Sequence, residues 1–120
     1  MKYVLLFGGT MEDVDGLEPD RRTQAMADYE QSGVWFEKYS KAGKIVGGEE
    51  LQGPSTATTV NRRNGKVVVT DGPFIESKEV IGGFAVIDVA DLDEALAMAK
   101  EWPGPVEIRP VVDHSQERGA

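Results

Sequence analysis

The sequence predicts an α+β domain with the element order β-α-β, hairpin, β-α-β, which is the ferredoxin-like layout. Three observations predict it. The chain has 120 residues, the length of one domain rather than two. Two segments with helical periodicity are each flanked by β-rich segments, and Asn64-Gly65, a strong hairpin signal, lies between the two units. We expect the domain to cover residues 1–112, with a polar tail at residues 113–120.

The first strand and the first helix are predicted from their apolar patterns. Residues 2–7 are almost continuously apolar, which is typical of a strand buried on both faces. A helix is predicted from about residue 20 to residue 42, because acidic residues precede it, lysines lie near its end and Gly43 can terminate it. Its apolar residues recur at three- and four-residue spacing, which predicts an inward stripe. The stripe consists of Met26, Tyr29, Gly33, Phe36 and Tyr39.

The middle of the chain is predicted to be β-structure. Residues 44–51 form a second strand, which Gly47-Gly48 either weakens or brings into close approach with another segment, and a turn follows at Gly53-Pro54. Residues 57–63 and 66–70 are rich in β-branched side chains and are joined by the Asn-Gly turn, so they form the hairpin.

The second unit begins with a strand at residues 81–89. Its alternation places Phe84 and Val86 on one face, opposite a larger apolar set. Asp91 is predicted to cap the next helix, with the glutamate three residues later completing a capping box, and a last strand follows at residues 106–112. The larger apolar set consists of Ile81, Ala85, Ile87 and Val89.

The strands at residues 2–7 and 81–89 are apolar on both faces, whereas two helices can cover only one face of a small sheet. The uncovered face therefore needs an apolar partner. We expect a homodimer in which two sheets pack face to face. The alternative is a monomer whose second face is covered by the hairpin and the tail.

Composition excludes several kinds of chemistry. The chain has no cysteine, so disulfides, thiolate metal sites and cysteine nucleophiles are excluded. The one histidine, His114, lies near the end of the sequence, which argues against a multi-histidine metal site and a Ser-His-Asp triad. We expect neither a metal nor an organic cofactor. Any chemistry would use carboxylate, Lys, Arg, Tyr, hydroxyl or backbone groups.

The charge and the N-terminal segment bear on partners and location. The formal net charge is −8, so we expect no direct binding to nucleic acid and none to an anionic membrane surface. The first apolar run, at residues 3–7, is shorter than the apolar region of a signal peptide, which needs about 7–15 residues, and no window approaches a membrane span. A cytoplasmic location is therefore expected.

The most unusual part of the sequence lies at residues 71–79. It opens with an Asp-Gly-Pro turn signal and holds four ionisable side chains. If these line a cleft, burial and like-charge proximity would raise a carboxylate pKa enough for proton transfer near neutral pH. The alternative is that they are solvated loop residues. The four ionisable residues are Asp71, Glu76, Lys78 and Glu79.

The run at residues 71–83 resembles the signature of the DGPF family, a branch of the YCII-related domains. Other parts of the chain agree with this resemblance along nearly its whole length. The further matches are residues 2–6 in the first strand, 47–51 in the second, 56–60 at the start of the hairpin, 88–95 at the last helix and 106–111 in the last strand.

The resemblance implies a ferredoxin-like dimer of the dimeric α+β barrel type. Related proteins have been proposed to be enzymes that use a His–Asp pair in the cleft beside the sheet. That mechanism does not transfer, because aligning Gly43 with the family's helix-ending glycine puts Ser32 near the position of that histidine. Some family members occur beside or fused to extracytoplasmic-function sigma factors, which implies a regulatory or sensing role.

Further side chains are candidate ligand contacts. Glu107 and Arg109 share one strand face, where they form either a clamp for a small carboxylate or an ordinary ion pair. Glu49 on the second strand has the same two alternatives. Trp35 and Tyr39, four residues apart, form either an aromatic wall for a ligand or part of the core. The full predicted set of ligand contacts is Trp35, Glu49, Asp71, Gly72, Pro73, Phe74, Glu76, Lys78, Glu79, Glu107 and Arg109.

These observations leave three functional hypotheses. The first is a homodimer that binds a small organic ligand, or acts in regulation or sensing, with a polar cleft near residues 71–79. The second is a small cofactor-independent isomerase or lyase with Asp71, Glu76 or Glu79 as its general base. In this enzyme, Arg109 or Lys78 would stabilise the negative charge that develops on the substrate. The third is a protein-interaction partner of a sigma factor.

Overall fold

The computed structural model describes residues 1–10, 18–73 and 79–115. These residues form six strands and two helices, with a short 3-10 turn before the hairpin. Each predicted helix and strand is present, and its ends differ from the prediction by at most a few residues. In chain order the elements are β1 (Lys2–Thr10), α1 (Pro19–Lys41), β2 (Ile45–Glu50), the 3-10 turn (Pro54–Thr56), β3 (Thr58–Arg63), β4 (Lys66–Asp71), β5 (Glu79–Asp88), α2 (Leu92–Lys100) and β6 (Val106–Pro110).

Four strands form one antiparallel sheet in the order β2-β5-β1-β6, and β3 and β4 form a separate two-stranded sheet. Because β5 lies between β1 and β2, the two strand–helix–strand units interlock instead of lying side by side. This is the ferredoxin-like arrangement, so the predicted fold class is confirmed. A β-bulge between Phe7 and Gly8 shifts the pairing of β1 with β5.

The core lies between the helices and one face of the four-stranded sheet. Alternate residues of β1 and β5 point into it, which is the period of two expected for strands. Trp35 of α1 is 2% exposed, and its indole N–H donates a hydrogen bond of 2.8 Å to the carbonyl oxygen of Met98 in α2. This bond ties the two helices together. The buried apolar residues are Tyr3, Leu5, Phe7, Trp35, Ala85, Ile87, Val89, Ala95 and Met98.

The second helix, α2, begins with the predicted capping box. The carboxylate of Asp91 accepts a hydrogen bond of 2.9 Å from the backbone N–H of Glu94, and the Glu94 carboxylate accepts one of 2.8 Å from the N–H of Ala90. Lys44, just before β2, also pairs with Glu94 at 2.7 Å. The hydrogen bond from Lys44, and then the one from Ala90, lowers the pKa of Glu94. The cap thus joins α2 to the neighbouring strand.

The first helix, α1, differs from the predicted amphipathic helix. Met26 and Tyr29 belong to the predicted inward stripe but are 57% and 64% exposed, so that part of the prediction is wrong. The least exposed row of the helix is shifted by about one residue and includes polar side chains. This row consists of Ala25, Asp28, Ser32, Trp35 and Tyr39. Three members of the predicted stripe, Tyr29, Gly33 and Phe36, line a cavity between the helix and the sheet.

The other face of the four-stranded sheet, which we call the open face, carries an apolar patch that neither helix covers. Val4 of β1 pairs with Val86 of β5, and Leu6 pairs with Phe84. These four side chains are half-buried in the single chain. The prediction for Ile81 is wrong: it is 52% exposed and lies beside Leu6, because the bulge changes the face that this end of β5 presents.

The hairpin forms around Asn64 and Gly65, as predicted. Both turn residues have positive φ, 52° and 78°, which a type I′ turn requires. Every residue of β3 and β4 is exposed except Thr59, which is half-buried. Gly72 closes the base of the hairpin by donating its backbone N–H to the carbonyl oxygen of Ala57 at 2.8 Å. The hairpin therefore projects from the four-stranded sheet without joining it.

Candidate functional site

A cavity of about 320 Å³ lies between the first half of α1 and the sheet. Residues of β1, β2 and β5 line it from the sheet, and Trp102, which follows α2, closes one side. Small-molecule pockets typically have volumes of about 300–1,000 Å³, so this one has room for a small organic molecule. It adjoins the packed core without being part of it.

Glycines make the space for this cavity, which we call the glycine-lined cavity. Gly8-Gly9 on β1 and Gly82-Gly83 on β5 are glycine pairs on neighbouring strands, and Gly33 faces the same space from α1. A Cβ atom added at Gly9, Gly33 or Gly82 would meet no atom within 4 Å. Close packing therefore does not require glycine at these three positions, and the missing side chains leave the volume open.

Aromatic rings form the part of the cavity nearest the core. Phe7 and Trp102 stack with their ring centroids 3.8 Å apart. Phe36 meets both of these rings edge-on, at centroid distances of 5.8 Å. All three rings line the glycine-lined cavity. Flat apolar groups pack favourably on such a surface.

The polar part of the cavity is acidic. Glu49 and Glu50, at the end of β2, line it; Glu50 pairs with Gly83 on the cavity side, whereas Glu49 pairs with Phe84 and shares the open face. The described lining residues include no lysine, arginine or histidine. Tyr29 of α1 donates a hydrogen bond of 3.2 Å to the Glu50 carboxylate, which links the helix to the strand. This bond, and then the negative charge of Glu50, raises the pKa of the Tyr29 hydroxyl. The Tyr29 hydroxyl therefore stays protonated at neutral pH and acts as a hydrogen-bond donor.

Ser32 lies in the wall of the cavity, at the position that the family resemblance assigns to a histidine. Its hydroxyl donates a hydrogen bond of 2.9 Å to the backbone carbonyl of Asp28, one turn earlier in α1. Unlike imidazole, a hydroxyl does not gain and lose a proton near neutral pH. The cavity thus lies beside the sheet, as the resemblance implies, with a serine in place of the imidazole.

Among the described residues, no three His, Asp or Glu side chains lie together in a way that could hold a metal ion. In the same part of the chain, neither helix combines the length and the apolar composition with which a helix crosses a bilayer.

Three candidate contacts from the sequence, Trp35, Tyr39 and Glu49, belong to α1 and β2. Of these, Glu49 lines the cavity. Trp35 lies in the core with its ring nitrogen bonded to Met98, which favours the packing alternative for it. Tyr39 also packs against the core, and its hydroxyl donates a hydrogen bond to Glu101.

Glu107 and Arg109 lie on the open face, on the side of the sheet away from the glycine-lined cavity. Their side chains form an ion pair in which both are more than half exposed. With Leu6 and Ile81 they border a more open hollow on that face. In the single chain they therefore form an ordinary ion pair, and the sheet separates Arg109 from the glycine-lined cavity.

The structure describes residues 71–79 in part. Asp71 ends β4 and is exposed, Gly72 has a φ of +109°, and Pro73 is half-buried; none of the three lines the glycine-lined cavity. Glu79 begins β5. The catalytic roles assigned to this segment stay predictions. The predicted contacts outside the described residues are Phe74, Glu76 and Lys78.

Most residues of the glycine-lined cavity are absent from the predicted set of contacts. Gly8-Gly9 and Gly82-Gly83 adjoin only through the antiparallel pairing of β1 with β5, which is a contact between distant parts of the chain. Part of the cavity wall is recognisable in the sequence of α1, because Tyr29, Gly33 and Phe36 belong to the predicted stripe at four- and three-residue spacing and all three line the cavity.

Known proteins resemble this chain in sequence and in fold. The family model described as the YCII-related domain matches residues 1–114. An uncharacterised protein of Rhizobium meliloti strain 1021 is 40% identical over 80 residues, which are 62% of this chain and 64% of that protein, less than two thirds of its length. The solved structure of 5-chloro-2-hydroxyhydroquinone dehydrochlorinase from Burkholderia phenoliruptrix AC1100, in complex with 2,5-dihydroxybenzoquinone, has a TM-score of 0.50 at 12% identity and covers 97% of this chain and 98% of that one.

The similarity to the dehydrochlorinase structure shows a shared fold. At 12% identity it shows the fold alone. The family match spans nearly the whole chain and agrees with the resemblance found in the sequence. The chain belongs to the YCII-related domain family.

Proposed function

We propose that this protein binds a small organic molecule in the glycine-lined cavity. The observation that carries the proposal is the cavity of about 320 Å³, with aromatic rings on one side and Glu50, hydrogen-bonded by Tyr29, on another. A Cβ atom at Gly9, Gly33 or Gly82 would begin to fill this space without a clash. Filling a void beside a core normally adds stability, so an open cavity at this place favours a role in binding.

The lining favours an uncharged, flat ligand of about one aromatic ring. Such a ring can pack against Phe36 and Trp102, which are half-buried, and its hydroxyl groups can donate hydrogen bonds to Glu50. An anionic ligand would be repelled by the same carboxylate. The dehydrochlorinase of the same fold was solved with 2,5-dihydroxybenzoquinone, a single six-membered ring, which supports this size class.

Thermal unfolding in the presence of hydroquinone and of benzoate tests the proposal. Hydroquinone at ten times its Kd should raise Tm by about 3 °C or more, whereas benzoate should leave Tm unchanged. Gly33→Leu, which fills the cavity from α1, should abolish the shift, and Gly33→Ala is the matched control that should retain it. A shift that survives Gly33→Leu, or no shift for hydroquinone, would contradict the proposal.

A second candidate function is an enzyme of the isomerase or lyase kind, and the Tyr29–Glu50 hydrogen bond favours it. A carboxylate base beside a phenol donor can remove a proton from a bound substrate and return one. The enzymatic activity of the dehydrochlorinase is compatible with this candidate. Asp71, Glu76 and Glu79 remain alternative bases.

Turnover of 5-chloro-2-hydroxyhydroquinone, followed by chloride release, tests this second function. If Glu50 is the base, Glu50→Gln should lower kcat by about 100-fold or more, while Asp71→Asn should leave it unchanged. If Asp71→Asn lowers kcat and Glu50→Gln does not, the base belongs to the segment at residues 71–79 and not to the cavity. Absence of chloride release from the wild type would count against dehydrochlorination.

We also propose that the protein is a homodimer that packs through the open face. Val4, Leu6, Phe84 and Val86 form a continuous apolar patch, and a second copy can cover it with the same patch about a twofold axis. Sedimentation velocity at micromolar concentration should give twice the mass of the 13.1 kDa chain.

Val86→Lys should reduce the mass to that of one chain, because it places a charge in the centre of the patch. Val34→Lys is the matched control, since Val34 is exposed on α1, away from the open face. A wild type with the mass of one chain at these concentrations would refute the dimer.

A further inference from the structure

The hairpin has an apolar face that no described part of the chain covers. Val60 of β3 pairs with Val69 of β4, and Val67 lies two residues from Val69 on the same face. The three valines are 63%, 64% and 54% exposed. Val68, on the opposite face, is the least exposed valine of the hairpin. We call the surface of Val60, Val67 and Val69 the valine face.

A hairpin of this kind needs support from outside itself. An isolated two-stranded hairpin is at best marginally stable in water, and it gains stability from a third strand or from packing on another element. In the described structure, β3 and β4 pair only with each other, and nearly all of their residues are exposed. The valine face is therefore the surface on which that support would act.

The shape of the chain agrees with a projecting arm. Its Cα radius of gyration is 17.2 Å, whereas a compact domain of this length has about 14 Å. Its principal extents are 55, 46 and 19 Å, so it is broad and thin. An arm that extends from such a body can reach a neighbouring molecule more readily than it can fold onto its own sheet.

The charge of the hairpin indicates which neighbouring molecule it contacts. Arg62, Arg63 and Lys66 surround the hairpin turn, and residues 58–71 contain one acidic residue, Asp71. The whole chain carries a net charge of −8, so the body is more acidic than the chain as a whole. The arm is thus complementary in charge to the body of another copy.

We propose that the hairpin is an arm that packs its valine face against the body of a second copy of this chain. The proposal rests on the homodimer proposed above and adds to the open face a separate contact between the copies. Three exposed valines between cations suit an acidic, partly apolar protein surface. In this arrangement each subunit supplies the support that the hairpin of the other lacks.

Sedimentation equilibrium of hairpin variants tests the arm. Val60→Thr with Val69→Thr keeps the β-branched shape but makes the valine face polar, and it should raise the dimer dissociation constant by roughly tenfold or more. The control, Val68→Thr, replaces a valine by threonine on the opposite face of the hairpin. It should change the dimer dissociation constant by less than about twofold. Far-UV circular dichroism checks that each variant remains folded.

A second measurement keeps Val60 and Val69 and uses the absence of native cysteine. Val67→Cys and Val68→Cys each carry one environment-sensitive fluorophore, on opposite faces of the hairpin. The label at 67 should shift to the blue over the concentrations at which dimer forms, and the label at 68 should not. If a dimer forms while neither label responds and the double threonine variant dimerises normally, the arm is wrong and the open-face dimer stands. If the wild type stays monomeric, both proposals are wrong.

Discussion

At the scale of single residues, the backbone at Gly48 leaves no room for a side chain. Its φ is +146°, and a Cβ atom there would lie 2.5 Å from the carbonyl oxygen of Phe84 and 2.9 Å from the Cα of Ala85. The pairing of β2 with β5 is irregular just before this point, so the two backbones approach closely. Both the conformation and the space therefore require glycine.

Two alanine substitutions should have opposite effects for this reason. Gly48→Ala should lower the free energy of unfolding by about 2 kcal/mol or more, because it introduces a clash and a strained φ. Gly33→Ala in α1 meets no neighbouring atom and should raise that free energy by about 0.5–1 kcal/mol through helix propensity. Urea denaturation measures both values. Equal effects of the two substitutions would refute this account of the glycines.

Glu94 should make folding stability depend on pH in the acid range. Its pKa in the folded protein lies below the ordinary value of 4.5, chiefly because Lys44 bonds to the carboxylate. The resulting stability is present in full above pH 4.5 and is lost as the pH falls through the folded-state pKa. Glu94→Gln should therefore be less stable than the wild type at pH 7, and the difference should shrink below pH 4.5.

Denaturant unfolding of both proteins between pH 7 and pH 3 measures this convergence. The control is Glu94→Gln introduced into Lys44→Met. Without the lysine, Glu94→Gln should change the free energy of unfolding by less at every pH. Parallel stability curves for the wild type and Glu94→Gln through the acid range would contradict the role of the ion pair.

Features that depend on sequence neighbours could be predicted residue by residue. The Asp91 cap and the Asn64-Gly65 turn are confirmed because each forms within a few residues of chain. The face of Ile81 could not be predicted, because the bulge that moves it arises from the pairing of β5 with a distant strand.

At the scale of elements, the two halves of α1 have different support. The second half holds Trp35, which is buried and bonded to Met98, whereas the first half lies over the glycine-lined cavity and has no buried residue. The bounds of this helix were predictable from its charges and Gly43. Its apolar stripe was predictable only in part, because Tyr29, Gly33 and Phe36 line the cavity whereas Met26 is exposed.

Amide hydrogen exchange should separate the two halves. Amides of residues 23–33 should exchange roughly tenfold or more faster than those of residues 34–41, because fewer apolar contacts oppose local opening there. Hydroquinone should slow exchange in the first half and leave the second half unchanged. Uniform protection along α1 would show that the cavity does not weaken the helix.

At the scale of the whole molecule, the sheet separates two surfaces with different proposed roles. The helix side holds the glycine-lined cavity, and the open face and the valine face are surfaces for a second copy. Of the predicted ligand contacts, Glu49 lies in the cavity, and Glu107 and Arg109 lie across the sheet from it. The cluster of ionisable residues at 71–79 therefore did not identify this cavity. The walls of the cavity come from five separate parts of the chain that only the fold brings together.

The central claim is that the glycine-lined cavity is a ligand site, and an NMR titration with hydroquinone tests it most directly. The expected result is saturable shifts of the Gly8, Gly9, Gly82 and Gly83 amides and of the Trp102 indole N–H, with all shifts lost in Gly33→Leu and kept in Gly33→Ala. The amide of Gly65, at the hairpin turn and outside the cavity lining, serves as the internal reference. An absence of shifts at millimolar hydroquinone, or shifts confined to the open face, would contradict the claim.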